Sequence, residues 1–118
     1  MADLIKIAVD AMGGDNSPKK VIDGIIHNHK ENKGNFFKIF GDKNKIISLL
    51  KDEIESQYYE IIHTENFVFS TDSPLEAAKK GKDTSMWLAI ESVKNKEADI
   101  VISAGNTGAL LVIAKLNL

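Results

Sequence analysis

Strand-length apolar runs alternating with helix-length amphipathic stretches constrain this chain more than any other feature of its sequence. Leu4-Ile5-Lys6-Ile7-Ala8-Val9 reads as a strand, mostly apolar toward both faces, as a strand covered by helices on two sides would be. It breaks at Asp10-Ala11-Met12-Gly13-Gly14-Asp15-Asn16-Ser17, a run of turn formers. A helix is predicted next, with Ser17 as N-cap and Pro18 at its first position, where the missing N–H costs nothing. Val21, Ile22, Ile25 and Ile26 form its apolar stripe. The plan then repeats: a strand at Phe36–Phe40, a break at Gly41-Asp42, and a helical stripe of Ile46, Ile47, Leu50 and Ile54. Tyr58–His63 is a third strand, Pro74–Lys80 a short helix interrupted at Gly81, and Thr84 to about Lys94 a longer one. Ile100–Ile102 is a fourth strand, and a last helix starts near Thr107. Strands separated by helices in this order call for crossovers and a parallel sheet with helices on both faces, an α/β fold.

The composition narrows the class. The chain has 118 residues, 43% hydrophobic and 27% charged, the mix of one soluble globular domain rather than a disordered chain. Its longest apolar run, Ala109–Ala114, is far too short to span a bilayer, and a cytoplasmic location is the default expectation. Fifteen basic residues against 17 acidic ones give a net charge of −2 with no basic stripe, so no nucleic-acid partner is expected. Every basic residue is a lysine. Any anion must therefore be met by lysines, backbone N–H groups or hydroxyls, without a guanidinium fork. The absence of cysteine removes disulfides, thiolate metal sites and a cysteine nucleophile.

The C-terminal stretch Ala109-Leu110-Leu111-Val112-Ile113-Ala114 is apolar all round, then ends at Lys115-Leu116-Asn117-Leu118 with no glycine or proline to close it. A helix of that kind expects burial on every side, and the chain is accordingly expected to be cut inside an element whose cover lies in missing sequence.

Ligands in open parallel sheets bind past the carboxyl ends of the strands. Two such ends carry loops of small and polar residues. One holds Gly13, Gly14 and Asp15; the other runs from Ser103 to Gly108, with Gly105 and Gly108 bracketing Asn106 and Thr107 at a helix N-terminus. Free amides and the helix dipole there suit a phosphate or a developing oxyanion. Plain turn geometry and capping explain the same residues. Lys79-Lys80-Gly81-Lys82-Asp83-Thr84-Ser85 could clamp a phosphate or be a solvated basic loop. His27 and His29 point to different faces, and Asp23 with His27 makes a surface pair rather than a metal site, so no metal is expected. His63 at a strand end carries no signal alone, and Met86 and Trp87 read as core. Neither the P-loop nor the dinucleotide fingerprint occurs.

Taken together, three motifs carry a specific likeness. Ile7-Ala8-Val9-Asp10-Ala11-Met12-Gly13-Gly14-Asp15, then Lys82-Asp83-Thr84-Ser85-Met86, then Ala98-Asp99-Ile100-Val101-Ile102-Ser103-Ala104-Gly105-Asn106-Thr107-Gly108-Ala109 resemble the bacterial phosphate acyltransferase family of phospholipid synthesis (PlsX). Thr84 stands where that family has serine. Phe40-Gly41-Asp42 and Pro74-Leu75-Glu76-Ala77 fall in the expected order. The resemblance implies a Rossmann-like fold of the kind found in isocitrate dehydrogenase and phosphotransacetylase. It implies transfer of a fatty acyl group from acyl carrier protein to inorganic phosphate with no cofactor, by a homodimer in peripheral contact with the membrane. Family members are considerably longer than this chain, so the resemblance implies that residues 1–118 are the N-terminal part of a single α/β catalytic domain, incomplete at its C-terminal end.

In that chemistry phosphate is itself the nucleophile, and the protein must hold its charge and stabilise a tetrahedral oxyanion. The resemblance makes Asn106, Lys82 and Asp10 the catalytic candidates: Lys82 as counter-charge, Asp10 and Asp15 as orienting groups. Gly13, Gly14, Ser103, Gly105, Thr107, Gly108 and Ser85 complete the expected phosphate site. Which loop holds phosphate stays open, as do two alternatives: a phosphotransacetylase-like enzyme using coenzyme A thioesters, and a non-catalytic remnant that binds anions or a partner.

Overall fold

In the computed structural model, which describes residues 3–118, the first strand lies in the middle of the sheet. β1 (Ile5–Asp10) pairs on one side with β2 (Asn35–Gly41) and on the other with β4 (Ile100–Ser103), while β3 (Tyr59–His63) lies beyond β2. The order is β3-β2-β1-β4, and every pairing is parallel. Helices α1 (Lys19–Glu31), α2 (Lys43–Leu50), α3 (Pro74–Lys79), α4 (Ser85–Lys94) and α5 (Thr107–Asn117) fill the connections. The α/β class read from the sequence is the class observed.

Alternation along β1 divides the core. Ile7 and Val9 face α1 and α2, packing with Ile22, Ile25, Phe37, Ile39, Ile46 and Leu50. Ala8 faces the other way, with Phe40 and Ala89 of α4. Ala8 and Ala89, both fully buried, let α4 pack against β1 there. A separate cluster of Val68, Ala77, Met86, Trp87, Ile90, Ala109 and Ile113 joins α3, α4 and α5. Each fully buried isoleucine, such as Ile22, Ile39 or Ile46, contributes about 1.5–3 kcal/mol.

Local chemistry explains the helix starts. Thr84 accepts a hydrogen bond from the Trp87 amide and caps α4. Ser73 and Glu76 form a reciprocal capping box on α3, with Pro74 in its first turn. Asp42 caps α2, and His63 Nδ1 accepts a bond from the Lys43 amide at the same helix start.

Some expectations are corrected. Ser17 does not cap α1: its hydroxyl donates to the Gly13 carbonyl, Pro18 occupies the cap position, and the helix starts at Lys19. The loop claims that hydroxyl because Asn16, at φ 60°, turns the chain back toward Gly13. Ile54 is buried but not helical, since Lys51 and Asp52 both take positive φ and end α2 at Leu50. Asp23 pairs with Lys19 at 2.6 Å, one helical turn away, rather than with His27, which sits 3.4 Å from Glu31. His29, on another face, is buried against Tyr58. The uncovered apolar surface of α5 is no such correction: the helix buries Ala109 and Ile113, while Leu111, Leu116 and, just past its end, Leu118 are exposed.

Candidate functional site

The chain leaves β1 toward β2 on one side and returns to β4 on the other, so the strand order reverses between β1 and β4. In open α/β sheets the crevice for a ligand lies outside the carboxyl ends at that point. Asp10 ends β1 directly opposite Ser103, which ends β4. The Asp10 carboxylate is 2% exposed and collects three donors. Ser85 Oγ, at the start of α4, donates to Oδ1 at 2.6 Å; Ser103 Oγ donates to Oδ2 at 2.9 Å; the Met12 amide donates to Oδ1 at 3.2 Å. Ser103 Oγ in turn accepts the Gly105 amide at 3.1 Å. One buried acceptor thus ties together the loop after β1, the first turn of α4 and the loop after β4.

The glycines let those loops touch. A Cβ on Gly13 would stand 2.6 Å from Asp10 Oδ2 and 3.0 Å from the Gly105 backbone. Gly14 has φ +91°, and a Cβ there would stand 2.7 Å from the Ala104 carbonyl oxygen. Gly108 lies against Pro74 of α3. Among the described residues, no hydrogen bond is donated by the backbone amides of Gly13, Gly14, Asp15, Asn106, Thr107 or Gly108. Two abutting loops therefore carry unengaged donors, and one of them opens α5.

Asn106 is engaged at both ends of its side chain. Oδ1 accepts the Ala109 amide at 3.0 Å and caps α5; Nδ2 donates to the carbonyls of Phe69 and Asp72. It thereby ties the segment after β3 to the start of α5. Lys82, Asp15 and Thr107 are exposed, and the Lys82 ammonium makes no hydrogen bond or ion pair among the described residues. The structure thus brings together Asp10, Ser85, Ser103, Gly13, Gly14 and Gly105 and adjoins Asn106, while Lys82 stands free in solvent.

The sequence reading missed the segment that Asn106 holds. Lys80, just after α3, bonds Asp72 Oδ2 at 2.6 Å and lies 3.7 Å from the Phe69 ring centre. The hydrogen bond from Lys80 holds the Asp72 carboxyl below the usual carboxylate range, and the Phe69 amide acts in the same direction. No local pattern marks Lys80, Phe69 and Asp72 as partners. The Asn66 carbonyl accepts the Ser85 amide at 3.0 Å and Thr64 Oγ1 donates to the Asp83 carbonyl, so this segment also abuts the start of α4.

Comparison with known proteins gives a consistent picture. Residues 5–118 match the family model described as fatty acid synthesis protein. Over all 118 residues the chain is 66% identical to the phosphate acyltransferase of Pelagibacter ubique (strain HTCC1062), covering 35% of that protein. Over 108 residues, 92% of the chain, it is 44% identical to the phosphate acyltransferase of Streptococcus pyogenes serotype M1, covering 31% of it. The chain spans about a third of the length of these curated relatives. No helix among the described residues is long and apolar enough to cross a membrane.

Proposed function

We propose, on the premise that this chain belongs to the fatty acid synthesis protein family, that the complete gene product transfers an acyl group from a thioester to inorganic phosphate. A phosphate oxygen attacks the thioester carbonyl, the carbon–sulfur bond breaks, the sulfur leaves as thiolate, and acyl phosphate is released. The observation that carries this reading is the pair of abutting loops whose free amides flank a buried, fully bonded carboxylate.

Each part has a physical task. The amides of Gly13–Asp15 and Asn106–Gly108, the latter at the positive end of the α5 dipole, hold the phosphate or the tetrahedral oxyanion. Lys82 supplies mobile positive charge. Asp10 acts as a positioning residue: with Ser85 and Ser103 it sets the distance between the two loops before substrate arrives, which lowers the ordering cost of the transition state. Asn106 contributes its backbone amide, its side chain being occupied in holding the Phe69–Asp72 segment. No covalent enzyme intermediate is needed, because the attacking group is already an anion.

The donor we assign is acyl carrier protein, and the family resemblance supports a homodimer in peripheral contact with a membrane. The test incubates the complete gene product with radiolabelled phosphate and either acyl carrier protein or coenzyme A thioesters. Labelled acyl phosphate formed faster from the carrier protein is expected. Faster turnover of the coenzyme A donor would transfer the reading to a phosphotransacetylase-like enzyme, and no acyl phosphate from either would refute it.

A further inference from the structure

The segment after β3 borders an open hollow of about 320 Å³ lined by Glu65, Asn66, Phe67, Phe69, Lys80 and Thr84. We propose that this hollow receives the amide-bearing thiol arm of the acyl donor; the inference rests on the acyl-transfer reading above and assigns the donor side of the same site. Its position supports this. Thr84 lines the hollow, and the next residue, Ser85, donates to Asp10. Phe69 lines it as well, and its carbonyl accepts from Asn106 at the mouth of α5. Through Thr84 and Phe69 the hollow therefore adjoins residues bonded to both loops.

The lining selects the occupant. Phe67 and Phe69 pack edge to face with ring centres 5.0 Å apart and offer apolar walls. The side chains of Glu65 and Asn66 make no hydrogen bond among the described residues, so an alkyl chain seated here would strip them of water and return nothing. A phosphate would meet the Glu65 carboxylate, while the Lys80 ammonium is already neutralised by Asp72. An uncharged chain of secondary amides and methylenes satisfies both kinds of wall. That arm is common to carrier-protein and coenzyme A thioesters, so the hollow reads the chemistry they share.

The experiment titrates the complete gene product with an S-alkyl pantetheine thioether, which cannot be cleaved, and separately with inorganic phosphate, by calorimetry. Phe69→Ala and Asn66→Ala are expected to weaken thioether binding about five-fold each, the loss of one modest contact, with phosphate affinity unchanged. Both variants should raise KM for carrier-protein and coenzyme A donors alike. Wild-type protein that ignores the thioether at millimolar concentration, variants that bind it as tightly as wild type, a parallel loss of phosphate affinity, or a KM effect confined to one donor would each overturn the inference. Thioether binding without any acyl phosphate formation would instead overturn the proposed reaction and leave the hollow's assignment standing.

Discussion

Gly13 and Gly105 meet backbone to backbone: a side-chain carbon on Gly13 would stand 3.0 Å from the Gly105 Cα and 2.6 Å from the Asp10 carboxylate. Their contact joins loops from opposite ends of the chain. Gly13→Ala must push the loops apart or displace Asp10, neither of which is the flexible end of a long side chain. We expect a destabilisation of about 1–3 kcal/mol, the usual range for overpacking, measured by urea unfolding, together with weakened phosphate binding. Wild-type stability in that variant would show that the two loops are not held in contact.

Gly24 is the converse case. It lies on the exposed side of α1, and a Cβ there meets nothing within 4 Å. Gly24→Ala is expected to stabilise the protein by about 0.5–1 kcal/mol through the lower backbone entropy of the unfolded chain, with turnover unchanged. A lower unfolding midpoint would count against the placement of α1.

Asp10→Ala removes the acceptor for two hydroxyls and an amide in a buried place. A loss of about 1–3 kcal/mol is expected from the groups left unpaired. Asp10→Asn keeps the shape but replaces one acceptor oxygen with a donor that faces a hydroxyl. It should recover most of the stability yet little of the activity, read by comparing thermal unfolding with acyl phosphate formation. Full activity of the asparagine variant would refute a positioning role for the carboxylate.

The Lys80–Asp72 pair makes a prediction about acid. Lys80 and the Phe69 amide hold the Asp72 carboxyl below its ordinary value, so the folded form binds its proton less readily than the unfolded chain. The pair's contribution is therefore present above the ordinary carboxylate value of about 4 and disappears as pH falls through the lowered one. Amide hydrogen exchange at Phe69, whose N–H donates to Asp72, should lose protection over that window in the wild type. In Asp72→Asn it should show no such step.

Lys82 is exposed and bonded to nothing among the described residues, so Lys82→Ala should leave the unfolding midpoint where it is. As a counter-charge to phosphate its loss is expected to raise KM for phosphate about three- to ten-fold, the worth of one partly solvated charge contact. An unchanged KM would remove Lys82 from the site.

The strands and most helix starts were legible because their signals are local. The alternation of Ile7 and Val9 with Ala8, the serine and proline at 73 and 74, and the Thr84 cap each act within one turn or one strand. Ser17 misled for a related reason: cap chemistry before a proline looks the same whether the hydroxyl turns to the helix or, as here, back to Gly13. What no local pattern could carry was adjacency. Asp10 and Ser85 lie 75 positions apart, and they meet because α4 packs across β1, where Ala89 lies with Ala8. The Phe69–Asp72 segment was missed on the same ground, since its partners Lys80 and Asn106 come from two different helix ends.

The central place of β1 has a consequence for synthesis. A chain emerging from the ribosome presents Asp10 93 positions before Ser103, so the two can pair only once that intervening length has been made. The nascent polypeptide therefore carries the Asp10 carboxylate without either hydroxyl partner until Ser85 and then Ser103 have been added. The bridge from one loop to the other closes only with the docking of β4 beside β1.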